Sequence, residues 1–184
     1  MAKDASKLLY AGDGEIYLAV VGTALPVDVV TALPVAWKGM GFMAEDGVSI
    51  TGDVETNDVM AWQTPDPIDI RVNARNISIQ GDFLQYNQET FDIAFGGGGV
   101  WTGTTLVTYA SASGSNAKYW ACTVETIENA KKMRFTFPKI AVAESGEVPL
   151  RRNKNAETSV SFRALNTGSG NTMNVVTDVA SLLT

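Results

Sequence analysis

The sequence predicts a mainly β protein in which two packed antiparallel sheets form a sandwich or barrel, with one short flanking α-helix. Three observations lead to this fold class. The apolar share of 45% and the charged share of 18% are those of a globular protein. Several segments alternate apolar and polar residues with the period of a half-buried strand, and only one has helical periodicity. At 184 residues the chain fits a single domain, with extended arms expected at residues 1–13 and 166–184.

Alternation of apolar and polar residues places the strands. The clearest case is residues 76–84, where Ile77, Ile79 and Phe83 share one face. Gly81 falls on the same face, so we expect a bulge or a closely packed neighbour there. Residues 15–21 are rich in β-formers and predict the first strand. Further strands are expected over residues 104–109, 118–127, 133–137, 139–143 and 158–164.

The strand over residues 133–137 should be half-buried. Its inward face holds Met133, Phe135 and Phe137, and its outward face holds Lys132, Arg134 and Thr136. Because Pro138 has no N–H to donate, we expect the strand to end there or to lie at a sheet edge.

Two connections have recognisable patterns. Residues 22–37 contain TALPV twice, and Pro26 and Pro34 favour extended backbone before them, which predicts an apolar connection lying against the body. Glu45, Asp46 and Gly47 have the composition of a hairpin tip.

The predicted helix covers residues 87–95. Asn87 is a good N-cap, and Gly96 stands where a left-handed residue commonly ends a helix. Phe91 and Phe95 form an i,i+4 apolar pair. Since a helix this short does not hold by itself, we expect these two side chains to pack it on a sheet.

Residues 53–72 show no sustained pattern and predict a long loop. The loop combines one tryptophan with five acids, namely Asp53, Glu55, Asp58, Trp62, Asp66 and Asp69. Loops of about twenty residues inside a compact domain are unusual and tend to be functional. An exposed tryptophan is a typical anchor of a protein contact, so we expect an interface here.

The residue types of most catalytic sites are missing. The sequence has no histidine, and its single Cys122 permits neither a disulfide nor a cysteine-rich metal site. The four glycines at positions 96–99 follow a helix, whereas a phosphate-binding loop precedes one. Pairing Glu89 with Asp92, or Glu125 with Glu128, as an acid–base dyad has no pocket to support it. We therefore expect no enzymatic activity, no metal and no cofactor.

Charge and hydropathy limit the partners. The net charge is −6, so the sequence lacks the overall positive charge that is typical of nucleic-acid-binding proteins. No apolar run approaches the ~20 residues of a membrane-spanning helix, and the start of the chain lacks the apolar core of a signal peptide. We expect synthesis in the cytosol and no membrane association.

Part of the sequence resembles a known family. The run GTALPVDVVTALPVAWKGMGFMAEDGVSI, the DVETNDVMAWQ that follows, and the helix NQETFDIAFGGG together resemble the major tail (tail tube) protein of long, non-contractile-tailed bacteriophages, especially phages of actinobacteria. The specific motifs cover about a third of the chain.

The resemblance implies a structural virion protein of the phage tail. Its copies would form hexameric rings that stack into a hollow tube around a tape-measure protein, between a tail terminator and a tail-tip initiator. Double-stranded DNA would later pass through the lumen without specific binding. The loop over residues 53–72 would join stacked rings, with Trp62 as an anchor, and both arms would bridge subunits.

Two other functions remain open at this point. A monomeric β-sandwich module could bind carbohydrate if Trp62, Trp101 and Trp120 offered stacking platforms. An enzyme using two carboxylates would need two acids in one pocket, about 10 Å apart or less.

Overall fold

The computed structural model describes residues 11–111, 117–128, 131–153, 155–168 and 170–178. Within them lie ten strands and one helix: β1 Asp13–Val20, β2 Lys38–Gly39, β3 Met43–Ala61, β4 Thr64–Phe83, α1 Gln88–Ala94, β5 Val100–Thr102, β6 Thr108–Ala110, β7 Tyr119–Glu128, β8 Lys131–Ser145, β9 Thr158–Ala164 and β10 Asn174–Thr177.

Two antiparallel sheets contain these strands. The larger has the order β2-β1-β7-β8-β9-β4-β3, with β10 added to β8, and the smaller is the hairpin β5-β6. This confirms the mainly β fold class with two antiparallel sheets and one helix. The two sheets are unequal, since almost all strand pairing belongs to the larger one.

The larger sheet curls around its own core. A Cβ placed on Gly81 of β4 would lie 3.7 Å from Ile16 Cδ1 of β1, although three strands separate β4 from β1 in the sheet. Ile16 and Met43 pack over Gly81, as the expected close neighbour there requires. Residues 40–42 help to close the curl, because the Met40 N–H donates to the Ile16 carbonyl at 2.8 Å and the Phe42 carbonyl accepts from Leu84 at 3.0 Å.

The core fills the concave side of the curl. Most of its fully buried members come from β1, β4, β7, β8 and β9 and include Ile16, Ile79, Cys122, Phe137, Ile140, Val160 and Phe162. Burial of Cys122 confirms its interpretation as a small core residue. The strand predicted over residues 158–164 is confirmed at both ends.

Residues 22–37 cover the convex side of β1 and β7. Trp37 packs on Ala19 and Ala121 with Leu25 and Leu33 beside it, and its indole N–H donates to the Ala24 carbonyl at 3.3 Å. The prediction of an apolar connection lying against the body is therefore confirmed.

This covering makes part of the sheet buried on both faces. Arg134 and Thr136, predicted to face outward, are in fact buried, so that prediction was wrong. The reason is non-local: residues 22–37 return over the face that alternation alone assigns to solvent. Pro138 also lies inside β8, a central strand, at a shift of register against β7, so the predicted strand end is wrong as well.

Two further boundaries differ from expectation. Glu45, Asp46 and Gly47 form no hairpin tip but lie inside β3, where the register against β4 shifts between Met43 and Val48. The segment expected as a C-terminal arm contains β10, which pairs with residues 133–136 of β8. Of the expected arms, residues 1–10, 169 and 179–184 lie outside the described residues.

Candidate functional site

The outer parts of β3 and β4 form a long projecting hairpin, residues 51–75, which we call the hairpin arm. Its strands pair from Thr51 to Ala61 and carry the tip at Trp62 and Gln63. Almost every side chain between residues 51 and 73 is exposed or half-buried on both faces. The prediction of an irregular loop over residues 53–72 was wrong, because these residues complete a regular two-stranded ladder.

The hairpin arm has two chemically different faces. Residues that pair directly across the strands share a face. The pairs Val54–Arg75, Thr56–Val72, Asp58–Ile70 and Met60–Pro67 continue the side of the core residues Ile50 and Ile79. The pairs Asp53–Asn76, Glu55–Ala74, Asn57–Arg71 and Val59–Asp69 lie on the opposite side. One face is therefore largely apolar and the other largely polar.

The predicted interface residues divide between these faces. Asp53, Glu55 and Asp69 share the polar face, and Asp58 lies on the apolar one. Asp66 lies beside the tip, where its N–H donates to the Thr64 hydroxyl at 3.2 Å. The Trp62 side chain is 100% exposed. Within the described residues none of these five acids forms an ion pair.

The apolar face of the arm exposes large side chains. Met60 is 58% exposed, Ile70 is 60% exposed and Val72 is 49% exposed. Contiguous exposed apolar side chains on a water-soluble fold mark contact surfaces. The hairpin arm is therefore the strongest candidate for an assembly surface in the described chain.

The helix prediction is confirmed in its position and its ends. Asn87 caps the helix by accepting from the Thr90 N–H at 2.8 Å, and Gly96 follows with a φ of +85°. The cap is a reciprocal box with Thr90, whose hydroxyl accepts from the Asn87 N–H at 2.7 Å.

Phe91 and Phe95 contact each other, but they face the small sheet. Their ring centroids lie 4.8 Å apart, and Phe91 also stacks edge-on against Trp101 and Tyr109 of β5 and β6. The helix residues that join the buried core are instead Ile93 and Ala94. The aromatic pair therefore attaches the β5-β6 hairpin to the helix.

Asp92 organises the turn after the helix. Its carboxylate accepts from the N–H groups of Gly98 and Gly99, at 3.0 and 2.6 Å, from the Tyr109 hydroxyl at 2.9 Å and from the Lys118 ammonium at 2.9 Å. Burial opposes ionisation of Asp92, yet the bonds from Lys118, Gly99 and Tyr109 keep its pKa below the ordinary value. Burial and the bond to Asp92 raise the pKa of Tyr109 to about 12.

A buried ion pair holds residues 22–37 on the sheet. Arg134 Nε donates to Glu125 Oε2 at 2.5 Å, and its terminal nitrogen donates to the carbonyls of Asp28 and Thr31, at 2.7 and 2.9 Å. Nearby, Tyr17 donates to Glu15 at 2.7 Å, and burial together with this bond raises the pKa of Tyr17 to about 12. Sequence reasoning missed both this pair and Asp92, since each depends on partners distant in the chain.

Three of the four carboxylates considered as acid–base dyads have structural partners. Glu89 pairs with Lys38, Asp92 with Lys118, and Glu125 with Arg134. Among the described residues, no three acidic or cysteine side chains are arranged to hold a metal ion. These three ion pairs connect parts of the fold that are distant in the sequence.

The tryptophans do not form a set of stacking platforms. Trp120 is buried in the core with 8% of its surface exposed, and Trp101 is half-buried against Phe91 and Tyr109. Of the three residues considered for carbohydrate binding, Trp62 alone presents a free ring. This placement argues against the carbohydrate-binding alternative.

Comparisons with known proteins place the chain in a family. A family model described as phage tail tube protein matches residues 1–181. Among solved structures, a chain of the virion of native gene transfer agent (GTA) particle aligns over 96% of this chain and 98% of that chain, with 10% identity and a TM-score of 0.43. No curated protein sequence matches significantly. No helix of the described residues is long and apolar enough to cross a membrane. Because the family model spans nearly the whole chain, the protein belongs to the phage tail tube protein family, whose members are structural components of the virion tail.

Proposed function

We propose that copies of this chain form hexameric rings, which stack into the tube of a long, non-contractile phage tail and let DNA pass during ejection. The observation that carries the proposal is the hairpin arm, whose apolar face and Trp62 tip have no covering within the described chain. Family membership supports a tail role, and the arm supplies a surface for contact between copies.

The free strand edge supports assembly through the same element. β3 lies at one end of the large sheet, so one side of its 19 residues has no strand partner among the described residues. A long open edge invites pairing with another chain unless it is covered. Pairing β3 with a neighbouring copy would remove this edge and extend the sheet around a ring.

The charge of the hairpin arm supports a tube through which DNA passes without being bound. On the polar face of the arm, Asp53, Glu55 and Asp69 outnumber Arg71. We place this face toward the lumen, because the apolar face is the one that gains from being covered by protein. Acids repel phosphates over a Debye length of about 8 Å at physiological salt, whereas several basic contacts would bind DNA tightly.

The proposed partners follow from this role. They are further copies of the chain, a tape-measure protein inside the tube, and terminator and tail-tip initiator proteins at its ends. The protein would be made in the host cytoplasm and function in the virion.

Replacing Trp62 by alanine tests the role of the arm. A central interface tryptophan typically contributes 2 kcal/mol or more to binding, so we expect Trp62→Ala to raise the protein concentration needed for tube formation by at least about tenfold. Sedimentation and negative-stain electron microscopy measure this concentration, with initiator and tape-measure proteins added if the pure protein does not polymerise.

Gln63→Ala is the matched control, since Gln63 occupies the same tip and is also exposed. Both variants should unfold at the same urea concentration as the wild type, because neither side chain is buried. Tubes of Trp62→Ala that form at the wild-type concentration would contradict an anchoring role for the tip.

A further inference from the structure

The curled sheet leaves an apolar cavity at one end of its concave side, which we call the mouth cavity. Its volume is about 830 Å³, and its apolar lining includes Met43, Val48, Ile50, Val124, Phe135 and Met173. All of these side chains except Val124 are only partly buried, although they pack against the core. An apolar concavity of this size ordinarily holds a ligand or a protein segment.

The charged residues of the lining are all acidic. They are Asp13, Glu15, Glu45 and Glu125. Glu125 already pairs with Arg134. Asp13 and Glu45 are exposed, and neither forms an ion pair within the described residues. An occupant that combines apolar side chains with positive charge therefore fits the mouth cavity best.

Residues 148–152 of the described chain have this combination. The segment reads VPLRR. Leu150 is 86% exposed, and Arg151 and Arg152 are exposed beside it. Arg151 pairs with Glu147, but a surface ion pair of this kind contributes little, so the guanidinium can exchange to another carboxylate. The segment thus offers one large apolar side chain and two cations.

The segment and the mouth cavity lie at opposite ends of the large sheet. Phe135 lines the cavity near the start of β8, and the segment follows the end of β8 at Ser145. The strand between these two residues is about 30 Å long. Past Ser145, the Gly146 N–H donates to the Ser159 carbonyl at 2.7 Å, which holds the chain beside the start of β9. The segment is too short to return over that distance, since four residues reach at most about 14 Å. A mouth cavity therefore cannot be filled by residues 148–152 of its own copy.

We propose that residues 148–152 of one copy dock in the mouth cavity of the next copy along the tube. In this arrangement Leu150 covers the partly buried apolar lining, and Arg151 and Arg152 lie near Asp13 and Glu45 of the next copy. This contact rests on the proposed tube, since it joins copies in successive rings. A head-to-tail contact leaves a free end at each step, so it continues along a stack.

The position of the hairpin arm agrees with this stacking direction. Ile50 lines the mouth cavity, and the arm begins at the next residue, Thr51. The arm and the cavity therefore lie at the same end of the subunit. In the proposed stack, both meet the copy that supplies residues 148–152.

The hairpin arm of another copy is a less compatible occupant of the mouth cavity. It would bring an apolar tip, but Asp58, Asp66 and Asp69 accompany that tip. Placing these acids beside the acidic lining would juxtapose like charges, which disfavours the contact.

A disulfide between engineered cysteines tests the proposed contact. Val48 lines the mouth cavity, whereas its neighbour Ser49 is exposed and lies on the opposite face of β3. In tubes of the variant Leu150→Cys with Val48→Cys, mild oxidation should link neighbouring chains at least about tenfold faster than in tubes of the control Leu150→Cys with Ser49→Cys. Cys122 should not compete, since it is fully buried and burial raises the pKa of its thiol.

Electrophoresis without reductant measures the linkage, and electron microscopy verifies the tubes. Ladders of disulfide-linked chains support the contact. Equal rates for the two cysteine pairs, a disulfide within one chain, or faster linkage of Gln63→Cys to Val48→Cys would overturn the contact and leave the tube intact. Wild-type protein that forms no tubes, even with initiator and tape-measure proteins, would contradict the proposed function and this contact with it. Urea unfolding of each reduced variant verifies the fold.

Charge reversal tests the same contact without cysteines. Arg151→Glu with Arg152→Glu should raise the protein concentration needed for tube formation at least about tenfold, because the variant places like charges together. Adding Asp13→Lys and Glu45→Lys should bring that concentration back to within about threefold of the wild type, because opposite charges then face each other again.

The matched control reverses two exposed acids outside the mouth cavity. Asp53→Lys with Glu55→Lys changes the net charge equally but lies on the hairpin arm, so it should not restore assembly of the arginine variant. Equal rescue by the two pairs of substitutions, or no rescue by Asp13→Lys with Glu45→Lys, would overturn the proposed contact.

Discussion

Replacing Arg134 by alanine should lower the free energy of unfolding by about 3–5 kcal/mol. Arg134 is 3% exposed and makes one bond to the Glu125 carboxylate and two to the carbonyls of Asp28 and Thr31. A hydrogen bond with a charged partner contributes about 1.5–3 kcal/mol. The variant loses these bonds and leaves the Glu125 carboxylate buried without its cation, which gives the upper part of the range.

Urea unfolding of the dispersed protein measures this change. Arg151→Ala is the control, since Arg151 also pairs with a glutamate but is exposed, so its loss should change stability by no more than about 0.5 kcal/mol. The double variant Glu125→Gln with Arg134→Met should recover part of the loss, because no buried charge remains unpaired. Hydrogen exchange at residues 28–31 should also increase in Arg134→Ala. A stability loss no larger than that of Arg151→Ala would refute the assigned role of the pair.

Two further predictions concern the turn after the helix. The donors around Asp92 keep its pKa below the ordinary value of about 3.9, so its stabilisation is present above that pH and is lost as the pH falls through the folded-state pKa. Near neutral pH, Asp92→Asn should therefore be less stable than the wild type by about 2–4 kcal/mol. In acid the variant should lose less additional stability than the wild type does, measured as urea midpoints between about pH 2 and pH 7. Parallel pH profiles of the two proteins would contradict the role assigned to Asp92. Gly97→Ala should cost about 1–3 kcal/mol in the same assay, because Gly97 has a φ of +80° and an added Cβ would run into the Trp120 ring. Gly52→Ala is its control, since a Cβ there meets no neighbour, and equal stabilities of the two variants would count against the packing described.

The elements whose two ends are marked by their own residues could be predicted from the sequence. The helix has its own N-cap at Asn87 and its own ending at Gly96, so no distant residue is needed to place it. Residues 158–164 alternate because one face of β9 packs on the core and the other does not. Their boundaries follow from their own residues.

The hairpin arm lacks such a signal. Neither of its two faces is covered by the described part of the chain, so burial imposes no strict alternation on its side chains. Shifts of register after Glu55 and after Val59 also displace the pattern between the paired strands. The acids and Trp62 marked the segment as a candidate interface, but its regular strand structure depends on cross-strand pairing, which the residue pattern of either strand does not show.

Residues buried by returning chain were also beyond local prediction. Arg134 and Thr136 alternate like solvent-facing residues but are buried. Residues 22–37 return over this face, where the carbonyls of Asp28 and Thr31 accept hydrogen bonds from Arg134. Pro138 is accommodated in a central strand because the register shifts there. β10 pairs with β8, and its four residues are too few to predict this pairing from their pattern.

Negative-stain electron microscopy of the concentrated protein, with light scattering alongside, tests the proposed tube most directly. We expect rings with a central hole that stack into tubes of uniform width. Dispersed monomers at high concentration, both alone and after addition of tape-measure and initiator proteins, would contradict the proposed assembly.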